Sequence, residues 1–320
     1  MTMKAVILAG GLGTRLRPLT YSIPKSLVPI AGKPLIRRVI DTLPSSVDTV
    51  ILAVSYMKEA LEDYFRVEPC GRKVILVNET SPMGTGGALK NVAQHIDGTF
   101  IVQNGDCVSS LDIKAMVRRH RETSGIGTLA LWEVEDPSAF GVVEMERSMR
   151  IIDFQEKPSR AEAKSNLINA GVYVFEPEIL DYIGKGQVSI EREVFPRILE
   201  YGLFGHRFEG FWVDCGTLKN TLLAQREMLD KDSPPEPSNL DCQLIPPNLI
   251  LSREMKGCHV GPNVCIEPDV RIGGGAHIDN ALVMKGANIG ANCRVSGSII
   301  GPGIKVDENE SVVDGILANR

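Results

Sequence analysis

Short β-branched apolar runs at Ala5–Leu8, Val50–Val54, Val74–Val77 and Phe100–Val102 alternate with segments of helical period at Leu35–Leu43, Met57–Phe65, Ala88–Ile96 and Ile113–Arg121. Continuous apolar runs of that length read as strands buried on both faces. Their alternation with helices predicts an α/β fold with a mostly parallel sheet. From about residue 125 the runs come closer together, at Thr128–Val134, Val142–Met145, Ile151–Gln155 and Val172–Phe175, before helices expected near Ile190–Tyr201 and Leu218–Leu229. In such sheets ligands bind beyond the carboxyl ends of the strands, so Gly10–Arg15 and Asn104-Gly105-Asp106 are expected to converge.

The pattern stops at Asp232-Ser233-Pro234-Pro235-Glu236-Pro237-Ser238, where three prolines each restrict the residue before them. This divides the chain into residues 1–231, a linker at 232–241 and a second domain at 242–320. In that second domain an aliphatic residue recurs every six positions at Val260, Ile266, Ile272 and Ile278, then resumes out of step at Ile289 and Val295. Turn residues follow several of these, as in Val260-Gly261-Pro262-Asn263. Period six with turn residues predicts a parallel β-helix, each repeat a short strand whose stacking buries the aliphatic row. The break near Met284 predicts an insertion or a loop between coils. Open coil ends and aliphatic rows favour a homo-oligomer formed through this domain.

Composition narrows the partners. A net charge of −5 disfavours nonspecific nucleic-acid or anionic-membrane binding and leaves a small anion as the expected ligand. Seven cysteines, an odd number with no Cys-x-x-Cys, fit reduced thiols and a cytoplasmic setting, and no apolar stretch reaches the ~20 residues of a membrane span.

The densest chemistry lies in Leu8-Ala9-Gly10-Gly11-Leu12-Gly13-Thr14-Arg15, with Lys25 following in Pro24-Lys25-Ser26. Glycines after a buried strand let backbone amides approach phosphate oxygens, and Arg15 and Lys25 add fixed positive charge. The loop is not a Walker A, since no Lys-Ser/Thr follows at the required offset. Nor is it a dinucleotide fingerprint, since Leu16 stands where the third glycine belongs. On the glycines alone, a nucleoside triphosphate site and a mere tight turn both stay open.

The continuation Thr14-Arg15-Leu16-Arg17-Pro18-Leu19-Thr20 resembles the sugar-nucleotide pyrophosphorylases. The resemblance runs on through Gly84-Thr85-Gly86-Gly87, Gln103-Asn104-Gly105-Asp106, Phe140-Gly141-Val142-Val143, Gln155-Glu156-Lys157-Pro158, Asn169-Ala170-Gly171-Val172-Tyr173 and Phe211-Trp212-Val213-Asp214-Cys215-Gly216-Thr217. It implies a Rossmann-like nucleotidyltransferase domain followed by a left-handed β-helix. The implied activity joins a nucleoside triphosphate to a sugar 1-phosphate with release of pyrophosphate. It also implies Mg²⁺ on Asp106 and Asp214, with Arg15 and Lys25 facing the triphosphate. Nucleotide contacts are implied from Leu8, Ala9, Gly10, Gly11, Gly13, Thr14, Arg15, Glu79, Gly84 and Thr85, and sugar-phosphate contacts from Gly141, Glu156, Lys157 and Asn169.

Glu79 bears on the base. A carboxylate only accepts hydrogen bonds, and guanine presents two adjacent donors, whereas thymine and uracil need a donor as well as an acceptor. Together with Ser189-Ile190-Glu191-Arg192-Glu193-Val194-Phe195-Pro196, which resembles mannose-1-phosphate guanylyltransferases, this favours GTP and mannose 1-phosphate. The alternatives are glucose 1-phosphate with dTTP or UTP, a heptose 1-phosphate with GTP, and a noncatalytic regulatory subunit of the same shape. Glu79 facing solvent or capping the helix that follows stays open here.

Overall fold

The first strand, β1 (Met3–Leu8), is buried along one side of nearly every residue and lies between two parallel neighbours, which makes it the axis of a nine-stranded sheet. The computed structural model describes residues 3–79, 81–232 and 241–319, so Thr80 and residues 233–240 of the expected linker lie outside the described residues. Two compact units divide the chain out of sequence order. Met1–Gly11 clusters with Val39–Trp212, and Leu12–Arg38 clusters with Val213–Arg320.

In the first unit β1 is followed by β2 (Val47–Val54), β3 (Lys73–Asn78), β4 (Phe100–Asn104), β5 (Gly127–Glu133), β6 (Gly141–Met145), β7 (Ile151–Glu156), β8 (Leu167–Phe175) and β9 (Leu203–Arg207). The strand order is β7-β6-β8-β4-β1-β2-β3, with β5 beside β8 and β9 beside β5. The block β4-β1-β2-β3 is parallel throughout, as the apolar runs predict. Beyond it β8 pairs antiparallel with β4 and β5, and β7 with β6, so the later half of the sheet is mixed. Helices α1 (Leu35–Asp41), α2 (Lys58–Val67), α3 (Gly84–Asn91) and α4 (Ile113–Thr123) fall near the segments of helical period. A core of Val6, Ile51, Val102, Leu129, Tyr173, Phe175 and Phe195 is fully buried.

The second unit carries α5 (Leu218–Asp232) and a stack of short parallel strands. Val260, Ile266, Ile272, Ile278, Val283, Ile289, Val295, Ile300 and Val306 share one buried core, as a β-helix requires. The expected insertion near Met284 is corrected. Leu282 lies opposite both Cys265 and Ile299, Asn288 opposite both Arg271 and Lys305, and Arg294 opposite Ser311, with no loop intervening. The aliphatic row falls out of step because one side is six residues long from Val260 to Ile266 but a residue shorter in the later coils, from Ile278 to Val283 and again from Val295 to Ile300. The corners are held by residues that tolerate a left-handed backbone, as in the column Asn280 (φ 42°), Gly297 (φ 58°) and Asp314 (φ 50°). Among the described residues no helix is long and apolar enough to cross a membrane.

Candidate active site

In the first unit, β1 and β4 are neighbours in register, Leu8 beside Asn104, so the chain leaves both strands at the same edge of the sheet. This is the side where the order of a parallel sheet reverses, the usual place for a ligand. Gly105 N–H donates to the Leu8 carbonyl at 2.9 Å, and a side chain at 105 would press on that oxygen and on Ala9. Asp106 is thereby carried out beside the start of the glycine loop. Its Oδ1 accepts from the Cys107 thiol at 3.5 Å.

Gly10 is fixed by the Ser55 hydroxyl, which donates to its carbonyl. A Cβ at position 10 would come 2.8 Å from Oε1 of Glu79, so Glu79 stands over the loop and not out in solvent. Burial raises the Glu79 carboxyl above its ordinary range, opposed by a bond from the Met83 backbone N–H at the start of α3. The helix-capping reading of Glu79 therefore describes part of its setting. Gly84 and Thr85 lie against the segment around Val188. The Gly86 and Gly87 amides donate to the Val188 carbonyl, and the Thr85 hydroxyl donates to Glu191 at 2.7 Å while accepting from Ile190 N–H at 3.0 Å.

The residues expected around the sugar phosphate come together on β6, β7 and β8. Gly141 and Glu156 are register partners, and a Cβ on Gly141 would lie 3.1 Å from Oε2 of Glu156. Burial first, and then the charge of Glu191, push the Glu156 carboxyl up, against the pull of Lys157 and Arg192. Lys157 Nζ stands 3.8 Å from Glu156 Oε1 and is half exposed, on a residue with a left-handed backbone (φ 51°). Asn169 donates to the Tyr173 hydroxyl at 2.8 Å and accepts from Gly171 N–H at 3.0 Å, which sets its amide from both ends. Tyr173 is fully buried, and that burial, with the Glu191 charge, raises its hydroxyl well above the ordinary value. Trp212 closes this side, its indole N–H on the Ala170 carbonyl at 2.9 Å and its ring edge-to-face with Phe140.

Glu191, Tyr173 and Ser55 were given no role by sequence reasoning. Glu191 lay within a recognised motif, but only its contacts with Thr85 and Ser189 and its charge on Glu156 and Tyr173 single it out.

The glycine loop is divided, with Leu8 to Gly11 in the first unit and Gly13, Thr14 and Arg15 in the second. There Gly13 adopts a left-handed backbone (φ 62°), its carbonyl accepts from the Thr20 hydroxyl at 2.8 Å, and a Cβ on it would strike Thr20 and Lys25. Lys25 is buried, and its Nζ lies 3.9 Å from Oδ1 of Asp214. Arg15 is largely exposed and reaches Oδ2 of Asp214 at 4.0 Å. Gly216 packs closely here, since a Cβ on it would meet the guanidinium at the end of the Arg15 side chain. Thr217 caps α5, its hydroxyl accepting from Asn220 N–H at 3.2 Å. Arg15, Lys25 and Asp214 thus form one charged group, while Asp106 belongs to the other unit.

The family model for nucleotidyl transferases matches residues 4–231, and that for the GMPPB C-terminal domain matches residues 250–319. Mannose-1-phosphate guanylyltransferase 1 of Arabidopsis thaliana is 36% identical over 312 residues, spanning 93% of this chain and 86% of the relative. Mannose-1-phosphate guanylyltransferase of Mycobacterium tuberculosis is 34% identical over 310 residues, spanning 95% and 81%. Among solved structures, HddC from Yersinia pseudotuberculosis complexed with GMP-PN superposes with a TM-score of 0.61 at 28% identity, covering 71% of this chain and all of HddC. The glycine loop, the Asp214 group and these matches agree that the chain belongs to the nucleotidyl transferase family.

Proposed function

We propose that this chain transfers the guanylyl group of GTP to mannose 1-phosphate. The reaction class is the transfer of a nucleotidyl group from a nucleoside triphosphate to a sugar 1-phosphate, giving a nucleotide sugar. A phosphate oxygen of the sugar forms a bond to the α-phosphorus as the bond to the β-phosphate breaks, and pyrophosphate carries away the electron pair. The sugar phosphate is already an anion near neutral pH, so no base is required. Holding two polyanions together and neutralising charge in the transition state is the task.

The observation that carries the choice of base is Glu79, a half-buried carboxylate standing over Gly10. With one bond taken from Met83, it keeps acceptor capacity for the paired donors of guanine. The guanylyltransferase names of the relatives support the same choice, and mannose rests on them. Arg15 and Lys25 are assigned to the triphosphate, together with the backbone of Leu8 to Thr14. Lys157 is assigned to the sugar phosphate, and Glu156 and Asn169 to sugar hydroxyls.

Asp106 and Asp214 are assigned to Mg²⁺. Both offer hard carboxylate oxygens, the donor that Mg²⁺ prefers. The ion would supply positive charge against phosphate oxygens. A noncatalytic subunit would have no use for all four of Arg15, Lys25, Asp106 and Asp214. We assign the transfer to residues 1–231 and homo-oligomer formation, by a left-handed coil, to residues 242–320, in a cytoplasmic enzyme. Pyrophosphate release across a panel of nucleotides and sugar 1-phosphates tests the reading. Preference for dTTP or UTP with glucose 1-phosphate would replace it.

A further inference from the structure

The sides of the β-helix differ in what they turn outward. Arg271-Ile272, Asn288-Ile289 and Lys305-Val306 each pair an exposed polar residue with a buried aliphatic one. Cys265-Ile266, Leu282-Val283 and Ile299-Ile300 bury both residues. Ile266, Val283 and Ile300 fill the interior of the coil. Cys265, Leu282 and Ile299 point the other way, yet none is accessible to solvent.

They are covered by the segment that carries the charged group. Leu19 and Val28, fully buried, join Leu222, Cys265, Leu282, Met284 and Ile299 in a single apolar cluster, with Ile23 at its edge. Leu19 immediately precedes Thr20, which holds the Gly13 carbonyl. Val28 closes the short helical turn that begins at Lys25, its N–H donating to the Lys25 carbonyl at 3.1 Å. Gly13 in turn packs on Thr20 and on the Lys25 side chain. Arg38 finishes the segment by donating to the carbonyls of Ile30 and Ala31.

We propose that Leu282 and Ile299, on the outward face of the C-terminal repeat, are positioning residues that hold Lys25 and Arg15 against Asp214. The repeat is then part of the machinery for the triphosphate as well as an assembly element. This rests on the assignment of Arg15 and Lys25 to the triphosphate made above. Catalysis by preorganised charge is sensitive to small displacements, so a cavity under Leu19 and Val28 acts through the two cations.

Leu282→Ala and Ile299→Ala test it, with Ile300→Ala as the control that makes a similar cavity on the inward face, away from the loop. Two quantities are read. One is hydrogen exchange of peptides within residues 12–28. The other is steady-state kinetics with whichever nucleotide the parent uses best. The outward variants are expected to exchange faster across that segment, and to lose about tenfold or more in kcat/KM for the nucleotide. KM for the sugar 1-phosphate should stay near the parent value. Volume-conserving Ile299→Leu is expected to restore both. Ile300→Ala is expected to lower thermal stability with parent-like kinetics. Parent-like nucleotide kinetics in the outward variants would overturn the proposal, whatever the exchange shows, and so would an equal kinetic loss in Ile300→Ala. If Leu282→Ala and Ile299→Ala fail to fold, Ile299→Val decides by the same two measurements. A parent that prefers a pyrimidine nucleotide would refute the guanylyl reading and leave this one to the same comparison.

Discussion

The ammonium of Lys25 lies 3.9 Å from Oδ1 of Asp214, buried, while the guanidinium of Arg15 reaches the second oxygen of the same carboxylate from solvent at 4.0 Å. One cation is therefore buried and the other largely exposed. Both distances are at the long end for an ion pair. That suits a site meant to receive a polyanion.

Asp214→Asn and Asp106→Asn are expected to leave folded proteins whose turnover falls by at least about 10²-fold, because transition-state charge loses a counter-ion. Removing divalent cations from the parent with a chelator should have the same effect, and adding Mg²⁺ should reverse it. Turnover that persists unchanged in chelator would remove the metal from the reading.

Lys157 is half exposed and its ammonium sits over Glu156, away from the Lys25 group in sequence and in unit. Lys157→Met is expected to raise KM for the sugar 1-phosphate by about 10- to 100-fold, the loss of one charged hydrogen bond, with a much smaller effect on KM for the nucleotide. Equal effects on both substrates would contradict its assignment to the sugar phosphate.

The elements that the sequence announces are those set by local pattern. β1 and β4 end where their apolar runs end, and Gly10 and Asp106 follow at the same sheet edge because the two strands are parallel neighbours. Ile190–Tyr201 reads as a single helix but splits into a wide turn at Ile190–Val194, an α-helical turn at Phe195–Ile198 and a tight turn at Leu199–Tyr201. Pro196 removes a backbone donor from its middle. Contacts between residues far apart in the chain leave no periodicity to read, which is why the packing of Leu19 and Val28 on the repeat was missed. The doublets Cys265-Ile266, Leu282-Val283 and Ile299-Ile300 did carry a signal, since two adjacent apolar residues in a coil strand require cover on both faces. Glu191 was missed for the complementary reason, that a charge acting on Glu156 and Tyr173 is visible only once β7 and β8 are joined through β6 in one sheet.

His120 gives the fold a pH dependence of definite sign. It is buried on α4, with Nδ1 2.9 Å from the Thr128 hydroxyl and Nε2 3.0 Å from Glu176 Oε1. Burial holds its pKa below the ordinary value, reinforced by Arg121 and opposed by the bond to Glu176 and its charge. The unfolded chain, with a histidine near 6.5, binds the proton first as pH falls. The stability contributed by the neutral ring is therefore complete above about pH 6.5 and is lost as pH drops toward the folded value. His206 shifts in the same direction by burial and contributes in any variant that keeps it. Denaturant unfolding of parent and His120→Asn between about pH 7.5 and 5.5 separates the two. The variant should start less stable and lose less on acidification, and parallel losses would show that His120 does not titrate with folding.

Glu79 decides between nucleotides. Its carboxylate stands over Gly10 and takes one bond from Met83, leaving lone pairs to meet both donors of guanine. A pyrimidine would set a carbonyl oxygen against that half-buried anion, and sites built on paired polar groups can reject such mismatches by up to ~10⁴–10⁵. Glu79→Gln should keep the bond from Met83 through its amide oxygen and gain a donor that a pyrimidine carbonyl can use. GTP turnover is then expected to fall by about tenfold or more while use of dTTP or UTP rises from its parent level. Because burial raises the Glu79 carboxyl, acidification should weaken GTP use in the parent at a higher pH than an exposed glutamate would, and should spare the Gln variant. An unchanged nucleotide ranking in Glu79→Gln, with GTP a poor substrate for the parent, would transfer the reading to a thymidylyl- or uridylyltransferase.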